Sequence, residues 1–254
     1  MSDPFFDFFN ENPPATDFSQ WPLWGKLDFK TYPYSERIRL PEPGNLDPVT
    51  LKTAFIKRKT TREFADRPIS KATLGMLLFW SGGLIHGLFS KSGDGMALEK
   101  TMSDKKEALR RPYPSGGALF PLEIYVALFK DESGENGVFH YNLKEHSLEN
   151  LPEFSLEFAK KSLYYDFARD AGAIIFLYFS GKNTLNKYGA FGYKLGLIEA
   201  GHLGQNFYLV AAALGLGVSA LGGVEPELFK QAIPMEENES LVYHLAVGWP
   251  LGCG

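Results

Sequence analysis

Apolar residues recur along the chain with two different periods, and the places where the period changes mark its elements. Short apolar runs bounded by turn formers occur at 122–129, 138–143, 173–179, 218–221 and 241–247, which predicts strands, the first two joined by the turn-rich stretch 131–137. A helical period runs through 189–214 and, after Pro226, through 226–232. Ser70 stands in the position of a helix cap before 72–80. Asp47-Pro48 pairs a cap with a proline suited to the first helical position, predicting a helix through Leu51, Ala54 and Phe55 towards Lys59. Two stretches lack any period. Residues 82–104, rich in Gly, Ser and Lys, read as a mobile loop, and 1–46, rich in Phe, Pro, Trp and Tyr, as an extended arm over a body formed by 47–254. With no internal repeat, the expected class is α+β, one domain with an arm.

Charge and composition narrow the function. The 254 residues carry 26 basic and 30 acidic side chains, a net charge of −4, which offers no general attraction for nucleic acid or an anionic membrane. Cys253 is the only cysteine, so no internal disulfide, cysteine zinc cluster or CxxC pair is possible. That usage suits a reducing cytoplasm, and the N-terminus lacks the basic and apolar regions of a secretory signal. The stretch 207–224 has no charged residue, but Gly215, Gly217, Gly222 and Gly223 divide it into a helix end, a turn and a strand, so it is not expected to span a membrane.

Three constellations carry candidate chemistry. Pro114-Ser115-Gly116-Gly117 is a rigid turn whose paired glycines let backbone N–H groups approach a flat or anionic ligand; a plain turn before a buried strand explains it equally well. Lys57-Arg58-Lys59-Thr60-Thr61-Arg62 gathers four cations and two hydroxyls, which suits a phosphate monoester or, more simply, a solvated helix end. Lys187-Tyr188 offers an ammonium and a phenol that could share proton transfer, or an exposed lysine beside an aromatic. In the long helix Gly192, Gly196, Ala200 and Gly204 form a stripe that admits another helix closely, though packing within one subunit accounts for it too. Beside it Glu199, His202, Gln205 and Asn206 cluster on an otherwise apolar helix, with His202 read as a satisfied core or interface residue. No HExxH, GxSxG, P-loop or GxGxxG occurs, and nothing points to a metal.

Taken together, Arg58 to Phe64, the Pro-Ser-Gly-Gly turn, Ile198 to Asn206 and Ala212 to Gly217 resemble the nitroreductase superfamily in order and spacing. Arg111-Pro112-Tyr113-Pro114-Ser115-Gly116-Gly117, Lys187-Tyr188-Gly189 and the arm from Tyr32-Pro33 to Leu40-Pro41 resemble its SagB-type dehydrogenase branch, which includes azoline oxidases. The resemblance implies a nitroreductase-like α+β fold, with a central, mainly antiparallel sheet flanked by helices and an interlocked homodimer binding FMN at its interface, where the small-residue stripe would lie. It places Arg58, Lys59 and Thr60 on the FMN phosphate and ribityl chain and Arg62 near the pyrimidine end. Pro114, Ser115, Gly116 and Gly117 would line the ring, with Gln205 also at the cofactor. Leu221, Gly222 and Gly223 would face the N5 edge, and Lys187 and Tyr188 would handle protons. Two departures stand out: no Lys or Arg follows Lys230, where the superfamily completes its phosphate site, and Ala190-Phe191-Gly192 stands where azoline oxidases often carry an arginine. The activity implied is azoline-to-azole dehydrogenation of a small molecule or modified peptide. An NAD(P)H-dependent nitro or quinone reductase, and a non-catalytic subunit of a peptide-modifying complex, are the alternatives.

Overall fold

The computed structural model describes residues 29–46, 49–85, 110–233, 235–236 and 239–252. Its apolar runs form one seven-stranded sheet from β1 (Arg37–Arg39), β2 (Leu122–Leu128), β3 (Gly137–Asn142), β4 (Ser147–Asn150), β5 (Ala173–Ser180), β6 (Gly217–Leu221) and β7 (Glu239–Gly248). The order is β1-β4-β3-β2-β5-β7-β6, and every adjacent pair is antiparallel. The helices are α1 (Leu51–Lys57), α2 (Lys71–Gly82), α3 (Leu156–Lys161), α4 (Asp166–Arg169), α5 (Lys182–Tyr188), α6 (Phe191–Leu214) and α7 (Pro226–Ala232).

Period-two alternation explains how the central strands bury both faces. Ala173, Ile175, Leu177 and Phe179 of β5 point to a core shared with α2 and α6, whereas Ile174, Phe176 and Tyr178 point to a second core under α3, α4 and α7. Burying a side chain of this size contributes about 1.5–3 kcal/mol. The second face also carries a polar centre. His140, fully buried, places Nδ1 2.8 Å from Glu149 Oε2 and Nε2 3.1 Å from Glu123 Oε2. The arm closes over this centre through the Tyr32 N–H donated to Glu149 (3.0 Å), the Lys30 N–H donated to Glu123 (3.3 Å) and the paired hydroxyls of Tyr32 and Tyr125 (2.7 Å).

Several boundaries differ from those expected. Thr50 caps α1, its Oγ1 accepting from the Thr53 N–H at 3.1 Å; Asp47 and Pro48 lie outside the described residues, and the helix ends at Lys57 rather than Lys59. Ser70 caps α2 as anticipated, accepting from the Thr73 N–H. The arm supplies an edge strand, β1, paired with the unanticipated β4. Most of the loop expected at 82–104 falls among residues 86–109, outside the described residues. The long helix expected from Gly189 starts at Phe191, and Gly189, at φ 56° and ψ −147°, separates it from the unanticipated α5, whose last turn holds Lys187 and Tyr188.

The small-residue stripe faces inward, onto the chain's own sheet and α5. A Cβ on Gly192 would lie 2.7 Å from the Thr184 carbonyl, one on Gly196 would overlap the Phe179 ring, and one on Gly204 would lie 2.5 Å from Tyr243. The stripe therefore lets α6 lie close on its own sheet and on α5. Among the described residues no helix is long and apolar enough to cross a membrane; 207–224 resolves into the end of α6, a left-handed Gly215 and β6.

Candidate active site

The chain enters β2 through a bend that its own sequence strains. Gly117 lies at φ +65°, and Ala118 (52°) and Phe120 (47°) also adopt positive φ, a conformation costing a residue with a side chain about 1–3 kcal/mol. Local bonds hold it: the Ser115 Oγ accepts from the Phe120 N–H at 2.8 Å, and the Ser115 carbonyl from the Ala118 N–H at 3.0 Å. The buried Arg111 guanidinium donates to the Gly82 carbonyl (2.6 Å) and the Leu122 carbonyl (3.3 Å), tying the bend to α2 and β2.

Lys187 and Tyr188, seventy residues further along, meet this bend. Lys187 is only 4% exposed. A Cβ on Gly117 would lie 2.5 Å from Tyr188 Oη and 2.7 Å from Lys187 Nζ, so both polar ends occupy space that any other residue at 117 would fill. An amine and a phenol on a backbone platform are a pair able to pass a proton. Glu199, 2% exposed on α6, reaches the same bend, with its carboxyl within hydrogen-bonding reach of the Ser115 hydroxyl and the Gly116 N–H. Burial pushes it up to about 7, against the opposing influence of Ser115, Arg111 and Gly116. Its Oε1 and the buried Arg111 Nη2 and Tyr113 Oη have no hydrogen-bond partner among the described residues. A cavity of about 360 Å³ lies alongside, lined by Arg111, Tyr113, Ser115 and Phe120 among others.

The basic segment occupies another part of the molecule. Thr60 bridges to Val218 in parallel and the Thr61 N–H donates to the Val218 carbonyl at 2.9 Å, so this segment runs along the free edge of β6. Alternation then buries Thr61 and leaves Thr60 and Arg62 exposed, with Lys59 also exposed. Arg58 lies over the Tyr208 ring, 5.6 Å from its centroid, and Tyr208 Oη accepts the Ala220 N–H. Among the described residues none of Arg58, Lys59 and Arg62 is ion-paired. Leu221 is buried, Gly222 exposed and Gly223 half-buried, its carbonyl held by His244 Nε2 at 3.2 Å. Burial lowers His244 to about 4, which keeps the imidazole neutral there. Gln205 and His202 are exposed, so His202 is not a core residue.

The structure thus brings Pro114, Ser115, Gly116 and Gly117 together with Lys187 and Tyr188, and Arg58, Lys59, Thr60 and Arg62 together beside β6. It does not bring these two sets together within one chain. Leu195 packs beneath Gly116 and Tyr208 beneath Arg58, thirteen residues apart on α6, or roughly 20 Å at 1.5 Å per residue. Sequence reasoning singled out Glu199 without a role and quoted Arg111 and Tyr113 only as part of a motif.

This architecture is nitroreductase-like. The chain belongs to the nitroreductase family, whose description matches residues 56–249. The protein MJ1384 of Methanocaldococcus jannaschii, named as a nitroreductase, is 28% identical over 207 residues, covering 81% of this chain and 93% of that one. The microcin B17-processing protein McbC of Escherichia coli is 33% identical over 118 residues, a match spanning 43% of each chain. Among solved structures, a chain of the Escherichia coli microcin synthetase McbBCD complex with truncated pro-MccB17 bound shares the fold, with a TM-score of 0.60, 21% identity and coverage of 97% of this chain and 94% of that one.

Proposed function

We propose that the protein is an FMN-dependent dehydrogenase of the SagB type, oxidising an azoline-like ring in a modified peptide or small molecule. The observation that carries this reading is the convergence of Lys187 Nζ and Tyr188 Oη on Gly117, since an oxidation that strips a Cα proton needs a positioned acceptor and a reductase of nitro groups or quinones does not. Kinship with a family containing a microcin-processing protein supports a peptide substrate.

The residues present fit FMN. At one end Arg58, Lys59 and Arg62, unpaired among the described residues, stand with the Thr60 hydroxyl as donors to a phosphate. At the other, Gly116 and Gly117 present bare backbone to a planar ring. When bound, FMN would supply a two-electron acceptor taking hydride at N5, to be reoxidised by oxygen or another acceptor. Lys187 and Tyr188 take the Cα proton, completing the loss of two hydrogens that turns azoline into azole. Because the phosphate and ring residues lie at opposite ends of α6, each cofactor is assigned to the basic segment of one copy and the glycine bend of another. The exposed Leu51, Phe55 and Ile56 of α1 and Leu197 and Ile198 of α6 provide apolar surface for such a homodimer.

The test is anaerobic stopped flow with the FMN-loaded protein and a thiazoline-containing peptide. Lys187→Ala and Tyr188→Phe are expected to keep the flavin spectrum and slow its bleaching by about 10²–10⁴-fold. Rapid reduction by NAD(P)H, indifferent to both substitutions and without azoline oxidation, would replace this reading with the reductase one. A protein that takes up no FMN would point to a non-catalytic subunit.

A further inference from the structure

Glu199 sits mid-helix among apolar neighbours, yet no part of the proton-transfer chemistry above uses it. Helix α6 grips the bend at three heights. Leu195 supports Gly116, since a Cβ there would lie 3.0 Å from Leu195 Cδ1; Glu199 reaches Ser115 and Gly116; and Asn206 Nδ2 donates to the carbonyls of Pro112 (3.0 Å) and Ser81 (3.1 Å). Of these three, only Glu199 is ionisable. The bend needs outside support, because three of its residues hold positive φ and its internal bond from the Leu119 N–H to the Gly116 carbonyl is 3.4 Å long.

We propose that Glu199 is a positioning residue: from its fixed place on α6 its carboxyl holds Ser115 and Gly116, and through them the Gly117 bend, against Lys187 and Tyr188. The inference rests on the reading of those two residues as the proton-handling pair. Ser115 links both sides, its oxygen accepting the Phe120 N–H and its hydroxyl lying beside the Glu199 carboxyl. An ionised Glu199 accepts from both Ser115 and Gly116; a protonated one grips them less. The other charged or titratable groups around it are Arg111, which favours the ionised form, and the buried Tyr113 and Glu123 beyond it. Since burial pushes Glu199 up to about 7, the grip changes across neutrality. The sign follows: with its folded value raised, the carboxyl's contribution to stability is complete below the ordinary glutamate value and is lost as pH rises through about 7.

Nitrogen–proton correlation spectra of the full chain without added flavin, recorded from mildly acid to mildly alkaline pH, test this directly. The Gly116, Gly117 and Tyr188 amides are expected to shift together with a midpoint near 7, and to stay fixed in Glu199→Gln. With flavin and azoline substrate, the same substitution is expected to remove the inflection near neutrality from the rate profile while flavin content is retained. Static Gly116 amides in the wild type, or the same titration persisting in Glu199→Gln, would overturn the proposal. Ser115→Ala cuts the same contact from the other side, so its Gly116 shift is expected to shrink if Glu199→Gln fails to fold, and an unchanged shift counts against the idea. Amides that titrate in a protein that oxidises no azoline would retain the positioning role and reject the dehydrogenase reading.

Discussion

Gly117→Ala is the smallest change that separates the bend's geometry from its stability. Two costs act on it. Forcing a residue with a Cβ to φ +65° costs about 1–2 kcal/mol. The new methyl would also stand 2.5 Å from Tyr188 Oη and 2.7 Å from Lys187 Nζ, so to clear 3.0 Å the phenol must retreat by at least about 0.5 Å and the ammonium by about 0.3 Å, and both by roughly 0.7–0.9 Å to reach ordinary contact. A displacement of that order at reacting groups costs about 10²-fold in rate. Gly134→Ala supplies the control, because Gly134 holds φ +81° with nothing within 4 Å of a Cβ. Urea unfolding is expected to show both variants destabilised by about 1–2 kcal/mol, whereas stopped-flow oxidation of an azoline is slowed about a hundredfold only in Gly117→Ala. Because Gly117 also faces the ring in this reading, the rates are compared per bound flavin, quantified from the absorbance spectrum of each variant. A wild-type rate in Gly117→Ala, with the stability loss present, would show that Lys187 and Tyr188 need no such platform.

Two further outcomes follow from the structure. In His140→Gln the buried Glu123 and Glu149 lose the cation between them, which is expected to cost about 3–5 kcal/mol and lower Tm by on the order of 10 °C. Burial alone would lower His140, but the hydrogen bonds and charges of Glu123 and Glu149 prevail and raise it, so its contribution is complete below the ordinary histidine value and is lost as pH climbs through the raised one. The gap between wild type and variant is therefore expected to narrow in alkali, and a gap constant from acid to alkali would mean that the imidazole is uncharged in the fold. Arg58→Ala removes a charge-assisted donor and its packing on Tyr208, and is expected to weaken FMN binding about 10–100-fold by fluorescence titration; unchanged affinity at moderate salt would reject the phosphate assignment.

Much of the fold was legible because one physical rule governs it: a strand buried on both faces is apolar along most of its length. The runs at 122–129, 173–179 and 241–247 became β2, β5 and β7 within two residues at each end. The two strands at one end of the sheet escaped for the complementary reason. β1 reads Arg-Ile-Arg and β4 Ser-Leu-Glu-Asn, polar sequences stabilised by pairing with each other and by the His140 centre beside them, and no local period reveals either. The α6 stripe was visible, but its direction was not, because period alone cannot say whether a small-residue face meets a neighbouring helix or the chain's own sheet; Phe179 and Tyr243, which answer that, come from β5 and β7.

For the site, residue type carried the reading part of the way. A lone lysine in a polar stretch is by type a surface residue, and only the packing of α5 against the Gly117 bend, far away in sequence, buries Lys187. Glu199 was the opposite case, a carboxylate on a helix face otherwise apolar, whose burial demands a compensating partner. That signal was in the sequence, although its partner was not, since Ser115 lies eighty-four residues earlier and is itself bent towards α6 by a strained turn. Both cases have one physical root: polar groups that the fold buries must be satisfied by groups distant in sequence. The buried polar residues left without a role by local pattern, such as Glu199, Arg111 and Tyr113, are therefore the ones gathered around the bend where Lys187 and Tyr188 meet Gly117.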